Sequence, residues 1–556
     1  MNFQTNSFLQ DAIHNIKINN FAVAKIILLK VLDIEPFNFD ALNILGVIFG
    51  QENNHIEALN FFKKAQQIKP YNNLINFNLA KAFSESGNDL EAIKYYKIAI
   101  GLDKNYLGSW IGFGNSLHTL KRYDEALSNY DQAIKLKPDY AEAYYNKAIT
   151  LNELQSYDEA LSNYDQAIKL KPDYANAYNN KGNIFRNLQR YDEALFHYYK
   201  AISLKSDYFY AYNNLGLISL EKKKLTEAFN FFETCLKINP KFLEPYYNES
   251  FIFLLQNEFI EGWKRYEYRW VAENQKPSYD LNDNAWNGDF LDGTLLVWSE
   301  QGLGDHLFFG RMLQCVTYYA KKIVFSVDKR IIQLFKDFLL SLSINNIEVI
   351  EHDKKKPFIN FDKHIPSGSL GKFFANSHEQ ISKFSDKSFV INKKYKKIDD
   401  FLANFKGLKV GLSWKTLNQE EQHRSIPLEK LVINLKKNFN IINLQFGKTD
   451  EEINKIDRDF GLKIHNYKGI DNLNDIYELC YLIKNLDLII TVQNTTAHLS
   501  LGLQKKTFLL LPVQSRWQWG LNGNNSVWYP TAHIFRQSKE GDWEDVLNNI
   551  KIELNK

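Results

Sequence analysis

Small and large apolar side chains recur along the first half of the chain at a fixed spacing of 34 residues. An alanine recurs at this step from Ala24 to Ala228, and the series ends at Gly262. Another small residue precedes most of these positions by twelve residues, and a large apolar residue follows each by four. The segment YDEALSNYDQAIKLKPDYA occurs twice without change, at 123–141 and 157–175. The pattern predicts pairs of closely packed helices, many of them ended by proline.

A 34-residue helix–turn–helix unit of this kind resembles the tetratricopeptide repeat. The resemblance covers residues 5–276, about eight units. It predicts an α solenoid, whose extended concave surface would serve for binding.

Asparagine recurs at one position of the first helix of several units. The positions are Asn78, Asn146, Asn180, Asn214 and Asn248. A ladder of amides could hold the backbone of an extended peptide, as in the similar ladder of O-GlcNAc transferases. The alternative is that these side chains stabilise the solenoid itself, and Ile44 and Gly112 interrupt the series.

Beyond residue 276 the period stops, and short apolar runs alternate with helical patterns. The runs at 294–299, 322–327, 347–352, 409–414, 439–446, 486–492 and 507–512 read as strands. Such alternation predicts an α/β region with parallel sheets. We expect a linker at 277–293 and two Rossmann-like halves, 294–395 and 396–556, with a helix near 396–405 and a cleft between the halves.

Ligands of parallel sheets bind beyond the carboxyl ends of the strands, so the residues there are candidates for a site. A glycine loop after the first strand leads to Asp305 and His306. Asp305 is a candidate general base, or alternatively the N-cap of a helix.

Two further strand ends carry polar groups suited to an anion. Lys415, His423 and Arg424 share one loop, which is either a cationic site or an ordinary solvated loop. A second segment opens a helix, where free backbone N–H groups bind anions well. Its polar residues are Asn494, Thr495, Thr496 and His498. Capping alone would also explain part of that segment.

These motifs together resemble the heptosyltransferase-like glycosyltransferases of family 9. The matching pieces are EQGLGD, KVGLSWK with HRSIPL, LQFG, TTAHLSLGLQKKTFLLLP, WYP at 528–530 and the FRQ…GDW tail at 535–543. The resemblance implies a GT-B fold and inverting, metal-independent transfer from a nucleotide-diphosphate sugar. It implies Asp305 or His306 as base, and Lys415, Arg424 and the 495–498 segment at the diphosphate. Gln445 and Gly447 are implied for the nucleotide pocket.

The order of domains, repeats followed by GT-B, is similar to that of O-GlcNAc transferases, which implies a protein acceptor presented by the solenoid. Two alternatives stay open. One is a glycan or lipid-linked acceptor. The other is a non-catalytic scaffold, favoured by Gln493, where heptosyltransferases often have Asp.

Composition also indicates which partners and which cellular location to expect for the protein. The 68 basic and 65 acidic residues give a net charge of +3, which argues against a nucleic-acid partner. The three cysteines are Cys235, Cys315 and Cys480, and they form no disulfide framework or zinc motif. No secretion signal and no apolar run of about 18–20 residues is visible. We therefore expect a cytoplasmic protein without membrane insertion.

Overall fold

Two units make up the chain, residues 1–211 and 212–556. The computed structural model describes residues 3–272, 284–352, 360–416, 423–435 and 439–556. The first unit consists of paired helices. The second begins inside the repeats and continues into two β-sheets, so the last repeats and both sheets belong to one unit.

The helices of the first unit follow one another in antiparallel pairs. They are α1 (Phe3–Lys17), α2 (Phe21–Ile34), α3 (Phe39–Gln51), α4 (His55–Ile68), α5 (Asn73–Glu85), α6 (Asp89–Leu102), α7 (Leu107–Thr119), α8 (Tyr123–Leu136), α9 (Ala141–Glu153), α10 (Tyr157–Leu170), α11 (Ala175–Asn187) and α12 (Tyr191–Leu204). α13 (Phe209–Glu221) crosses into the second unit.

A left-handed residue joins the two helices of each pair. These residues have positive φ and recur every 34 positions, at Asn19, Asn53, Gly87, Lys121, Gln155, Gln189, Lys223 and Asn257. This conformation reverses the chain in a very short turn, and glycine and asparagine adopt it at the least steric cost.

Close helix packing explains the recurrent small residues. A Cβ atom on Gly114 would lie 2.5 Å from a ring carbon of Tyr130, and one on Gly182 would lie 2.6 Å from the ring of Tyr198. Both tyrosine rings are buried. The predicted fit of a small residue against a large one is therefore confirmed.

We expect Gly114→Ala to lower the free energy of unfolding by about 1–3 kcal/mol, because the added methyl overlaps the Tyr130 ring. Gly101→Ala is the matched control. Gly101 lies in α6, and a Cβ there meets no atom within 4 Å, so it should gain about 0.5–1 kcal/mol. Urea unfolding of both variants measures the difference. Equal effects would contradict the packing argument.

The second unit contains all the strands that the structure describes. They are β1 (Leu291–Trp298), β2 (Ala320–Val327), β3 (Ile347–Glu351), β4 (Lys363–Pro366), β5 (Lys409–Ser413), β6 (Asn440–Asn443), β7 (Ile464–His465), β8 (Leu488–Val492), β9 (Thr507–Leu511) and β10 (Ala532–Arg536). The seven predicted strands are confirmed, while β4, β7 and β10 were not predicted.

Both sheets are parallel throughout the described strands. The first has the order β3-β2-β1-β4, and the second has the order β10-β9-β8-β5-β6-β7. The second sheet is doubly wound, because the direction of winding reverses between β5 and β8. The predicted parallel α/β region is confirmed.

Helices of the second unit pack on these sheets and continue the repeats. They are α14 (Leu225–Ile238), α15 (Glu244–Leu255), α16 (Phe259–Tyr266), α17 (Arg269–Ala272), α18 (Leu303–Gly310), α19 (Leu313–Val316), α20 (Ile332–Ser341), α21 (Gly371–Phe374), α22 (His378–Ser385), α23 (Lys396–Ala403), α24 (Leu428–Val432), α25 (Asp450–Phe460), α26 (Ile476–Lys484), α27 (Thr495–Gly502) and α28 (Glu544–Glu553). The helix expected near 396–405 is α23.

An aromatic cluster holds the last repeat against both halves of the sheet region. Trp263 of α16 is 1% exposed, and its indole N–H donates to the carbonyl of Ala375 at 2.9 Å. Its ring meets those of Trp517 and Trp528 edge-on, at centroid distances of 5.4 and 6.1 Å. One continuous core thus runs from the last repeats through the sheets.

The predicted linker, 277–293, falls partly outside the described residues, which resume at 284. From there the chain is packed rather than extended. Trp286 is 4% exposed and lies against Phe373 and Tyr319, and β1 already begins at Leu291.

Candidate functional site

Two cavities of the second unit meet at the glycine loop before α18. The switch-point cavity, about 240 Å³, lies at the carboxyl ends of β5 and β8. Its lining residues are Gly302, Leu303, Gly304, Asp305, Thr416, Arg424, Phe446, Gln493, Asn494, Thr495, His498, Arg516 and Trp519. The repeat-side cavity, about 600 Å³, is bordered by the last repeats and by 514–518. Gly302, Asp305, Arg424 and Arg516 line both cavities.

Asp305 lies at the junction of the two cavities. The N-cap of α18 is Gly302, so Asp305 is the third residue of the helix and the N-cap alternative is wrong. The carboxylate is largely buried, and its Oδ1 lies 3.9 Å from Nη1 of Arg516. A carboxylate in the first turn also interacts favourably with the helix dipole.

His306 faces a third cavity, about 800 Å³, which is lined partly by Asp328, Arg330 and His352. Its Nδ1 accepts a hydrogen bond from the backbone N–H of Asp328 at 3.3 Å, and burial lowers the pKa of His306 to about 4. The nitrogen that would take a proton is therefore already engaged, and the two candidate bases face different cavities.

Asn494 joins the two strand ends at the switch point. It is the N-cap of α27, and its Oδ1 accepts from the backbone N–H of Ala497 at 3.3 Å. Its Nδ2 donates to the Ser413 hydroxyl at 2.8 Å, at the end of β5. Thr495 lines the switch-point cavity, whereas Thr496 is 2% exposed and does not line it. The start of α27 thus opens towards the cavity at its first residue.

His498 reaches the same cavity one turn further along α27. Its Nδ1 lies 2.8 Å from the hydroxyl of Tyr529, and the Arg311 guanidinium lies over the Tyr529 ring at 4.7 Å from its centroid. Burial, reinforced by Arg516, lowers the pKa of His498 to about 3, so the ring is neutral near pH 7.

The lowered pKa values of His306 and His498 give the stability a definite pH dependence. Between pH 6.5 and about 4 the unfolded chain binds protons that the folded chain does not. The free energy of unfolding should therefore fall as the pH falls through this window. Thermal unfolding midpoints measured from about pH 7 to 5 test this, and the slope should be shallower in His498→Gln. Glu249, whose pKa burial raises to about 7, contributes in the opposite direction, so the comparison with the variant decides. An equal slope in the two proteins would contradict the role of His498.

Three residues proposed for the nucleotide or diphosphate do not line either of these two cavities. Lys415 pairs with Glu452 of α25 at 2.9 Å. Gln445 is 1% exposed, and its Oε1 accepts from the backbone N–H groups of Trp414 and Lys415, both at 2.9 Å. Gly447 takes a positive φ of 88° in the turn after β6. Phe446, between them, lines the switch-point cavity instead.

The cations at the cavities are Arg424, Arg516 and Lys223. Arg424 was predicted, and residues 417–422 of its loop lie outside the described residues. Arg516 follows β9, and its backbone N–H donates to Gln493 Oε1 at 3.2 Å. The strand 507–512 was predicted, so its carboxyl end was the signal that could have identified Arg516.

Lys223 comes from a repeat and carries no sequence signal for a site, because it occupies the left-handed turn position. Its Nζ donates to the carbonyl of Ser515 at 2.8 Å. Burial, with Arg536 and Arg424 nearby, lowers the pKa of Lys223 to about 8.

The ladder asparagines mainly contact the preceding repeat. Donor–acceptor distances of 3.0–3.1 Å join Asn78 to Asn43, Asn146 to Asn115, Asn180 to the Tyr145 hydroxyl, and Asn248 to Asn213. Asn214 lies at the corresponding position of α13. These bonds stabilise the stacking of repeats, and peptide binding by the ladder stays a prediction.

Models of the tetratricopeptide repeat match residues 39–72, 75–106, 114–155, 150–189, 175–208 and 209–242. The N-terminal part of the chain is thus a solenoid of tetratricopeptide repeats, and the repeat prediction is confirmed there.

Among curated proteins, Protein FlbA of Caulobacter vibrioides is 26% identical over 313 residues, which cover 53% of this chain and 52% of FlbA. The chain thus spans about half the length of this relative. A tetratricopeptide repeat protein from Parabacteroides merdae is 18% identical with a TM-score of 0.39, covering 42% of this chain and 93% of its own. YrrB, a TPR protein with an unusual peptide-binding site, is 21% identical with a TM-score of 0.28, covering 34% and 97%.

In the described part of the chain, none of the helices has the length and apolarity to cross a membrane. Within the same residues, no group of three or more His, Cys, Asp or Glu side chains is arranged to hold a metal ion.

Proposed function

We propose that the protein is an inverting GT-B glycosyltransferase. It moves a sugar from a nucleotide-diphosphate sugar to an acceptor hydroxyl, and the acceptor is a protein segment presented by the repeats. The observation that carries the proposal is the position of Asp305. This carboxylate lies between a cavity at the switch point of a doubly wound sheet and a cavity bordered by repeats.

The donor fits the switch-point cavity by its charge. Phosphate oxygens suit the start of α27, where backbone N–H groups and the helix dipole favour an anion. Arg424 and Arg516 border the same space, and the neutral His498 ring lines it as well. As the bond between the sugar and the phosphate breaks, these groups stabilise the charge that grows on the departing diphosphate.

The acceptor approaches from the repeat-side cavity. Its hydroxyl oxygen attacks the anomeric carbon from the face opposite the diphosphate, and the Asp305 carboxylate takes the hydroxyl proton. Asp305 suits this role better than His306, whose Nδ1 is engaged by the Asp328 backbone N–H. Configuration at the anomeric carbon is inverted because one displacement occurs.

A thermal-shift screen against uridine, guanosine, adenosine and cytidine diphosphate sugars tests the proposal. A ligand that binds only the folded chain stabilises it by about 2.7 kcal/mol at a hundredfold excess over its dissociation constant. We expect one nucleotide class to raise the midpoint, and Arg424→Ala to lose that rise. Arg458→Ala, an exposed arginine of α25 outside the cavity linings, is the matched control.

If no nucleotide sugar raises the unfolding midpoint, the second candidate function, a non-catalytic scaffold, is favoured. Its specific support is Gln493, a neutral residue that lines the switch-point cavity and receives the Arg516 backbone N–H. No rise with any donor at millimolar concentration, in protein that unfolds cooperatively, would overturn the transferase and leave the scaffold.

A further inference from the structure

The repeat-side cavity has two chemically different walls. One wall comes from the repeats and is mainly apolar, although Glu221 and Lys223 of the same repeats also line the cavity. Its apolar part consists of Leu220, Tyr247, Phe251, Leu255 and Tyr266, with Trp517 beside them. The other wall carries Asp305, Arg424 and Arg516. The group that receives the sugar must therefore fit between an apolar wall and the proposed base.

Ring packing fixes the apolar wall. The Tyr247 ring lies 4.8 Å from that of Phe251 and 5.8 Å from that of Tyr266, measured between centroids. Tyr266 and Leu255 are almost fully buried, and Tyr266 also contacts Trp263 at 5.5 Å. Since these side chains are held by the core, the wall offers a preformed surface for a ligand.

We propose that this wall selects acceptor segments in which a large apolar side chain neighbours the acceptor hydroxyl. This inference rests on the proposed function and names its acceptor class. A cavity of about 600 Å³ exceeds the space of a serine or threonine side chain beside Asp305. A neighbouring aromatic or leucine side chain fills the remainder and removes apolar surface of both partners from water.

The same walls disfavour the other acceptor classes. A sugar would place some of its hydroxyl groups against the side chains of Phe251 and Leu255, which cannot form hydrogen bonds. A lipid chain needs a continuous apolar path. Here Glu221, Gln514 and Gln518 interrupt it, and the Lys223 ammonium lies at the same cavity, bonded to the Ser515 carbonyl.

Charge complementarity adds a second preference. Among the described residues, Lys223, Arg424 and Arg516 line the cavity together with two carboxylates, those of Asp305 and Glu221. The excess of cations favours a neutral or acidic segment over a basic one.

Binding of labelled peptides to the full chain, followed by fluorescence anisotropy, tests the inference. The peptides carry one central serine flanked on both sides by Phe, Leu, Asn or Lys. We expect the Phe and Leu peptides to bind at least fivefold more tightly than the Asn peptide, and the Lys peptide to bind least. Phe251→Ala should remove the preference. Phe253→Ala is the control, since Phe253 lies on the same helix and packs on Phe229 outside the cavity lining.

The nucleotide-sugar thermal shift of the same variants separates the two proposals. Phe251→Ala should keep the donor shift, because Phe251 does not line the switch-point cavity. If a nucleotide sugar raises the unfolding midpoint but the Phe and Asn peptides bind equally well, the inference about the acceptor is overturned while the proposed function stands. An octyl glycoside serves as the probe for a lipid-linked acceptor. If this probe binds the chain and none of the peptides does, the inference is overturned in favour of a lipid-linked acceptor. A Phe preference that depends on Phe251, without any donor shift, would support the subsite and overturn sugar transfer.

Discussion

Replacing Asp305 with asparagine should lower the rate of the proposed sugar transfer by about 10²–10⁴-fold, because an amide cannot take the acceptor proton. Donor binding should persist, since the cations and the start of α27 are unchanged. The measurement is single-turnover transfer with the donor that the thermal screen identifies. Asp457→Asn, on the polar helix α25, is the control and should transfer at the normal rate.

His306→Gln decides between the two candidate bases in the same assay. If Asp305 is the base, the glutamine variant keeps most of its rate. A loss in His306→Gln that equals or exceeds the loss in Asp305→Asn would assign the proton transfer to the imidazole instead.

Truncating Trp263 to alanine should destabilise the second unit by about 3–5 kcal/mol. The indole is 1% exposed, it fills the space above Gly371, and its N–H satisfies the Ala375 carbonyl. Urea unfolding monitored by circular dichroism measures the loss. Phe290→Ala is the control, because Phe290 is 67% exposed in the same unit. A loss below about 1 kcal/mol would show that the aromatic cluster does not hold the last repeat.

The sequence predicted the elements whose patterns are local. The 34-residue period predicted the helix pairs, and the longer apolar runs predicted β1, β2, β8 and β9. β4 was missed because its four residues, KHIP, contain lysine, histidine and proline, and β7 because it has only two residues. Their strand character comes from the neighbours they pair with, β1 and β6.

The candidate site was predictable where a motif follows a strand directly, as at Asp305, Asn494 and Thr495. It was not predictable where tertiary packing decides. The Lys415 ammonium forms an ion pair with Glu452, and the side-chain oxygen of Gln445 accepts hydrogen bonds from backbone N–H groups of a neighbouring loop. Lys223 reaches the cavity from the repeats, which no local pattern connects with a strand end.

The identical helices α8 and α10 have a consequence for the length of the solenoid. Equivalent contacts recur around them: Lys147 pairs with Asp131 as Lys181 pairs with Asp165, and Asn129 bonds its own helix as Asn163 does. If 34 residues are removed between matching positions of the two copies, the two remaining parts join within the shared sequence. The joined helix then has the same sequence as α8 and α10. Unequal recombination between the two copies can thus change the number of repeats in whole steps without creating a new sequence inside the joined helix.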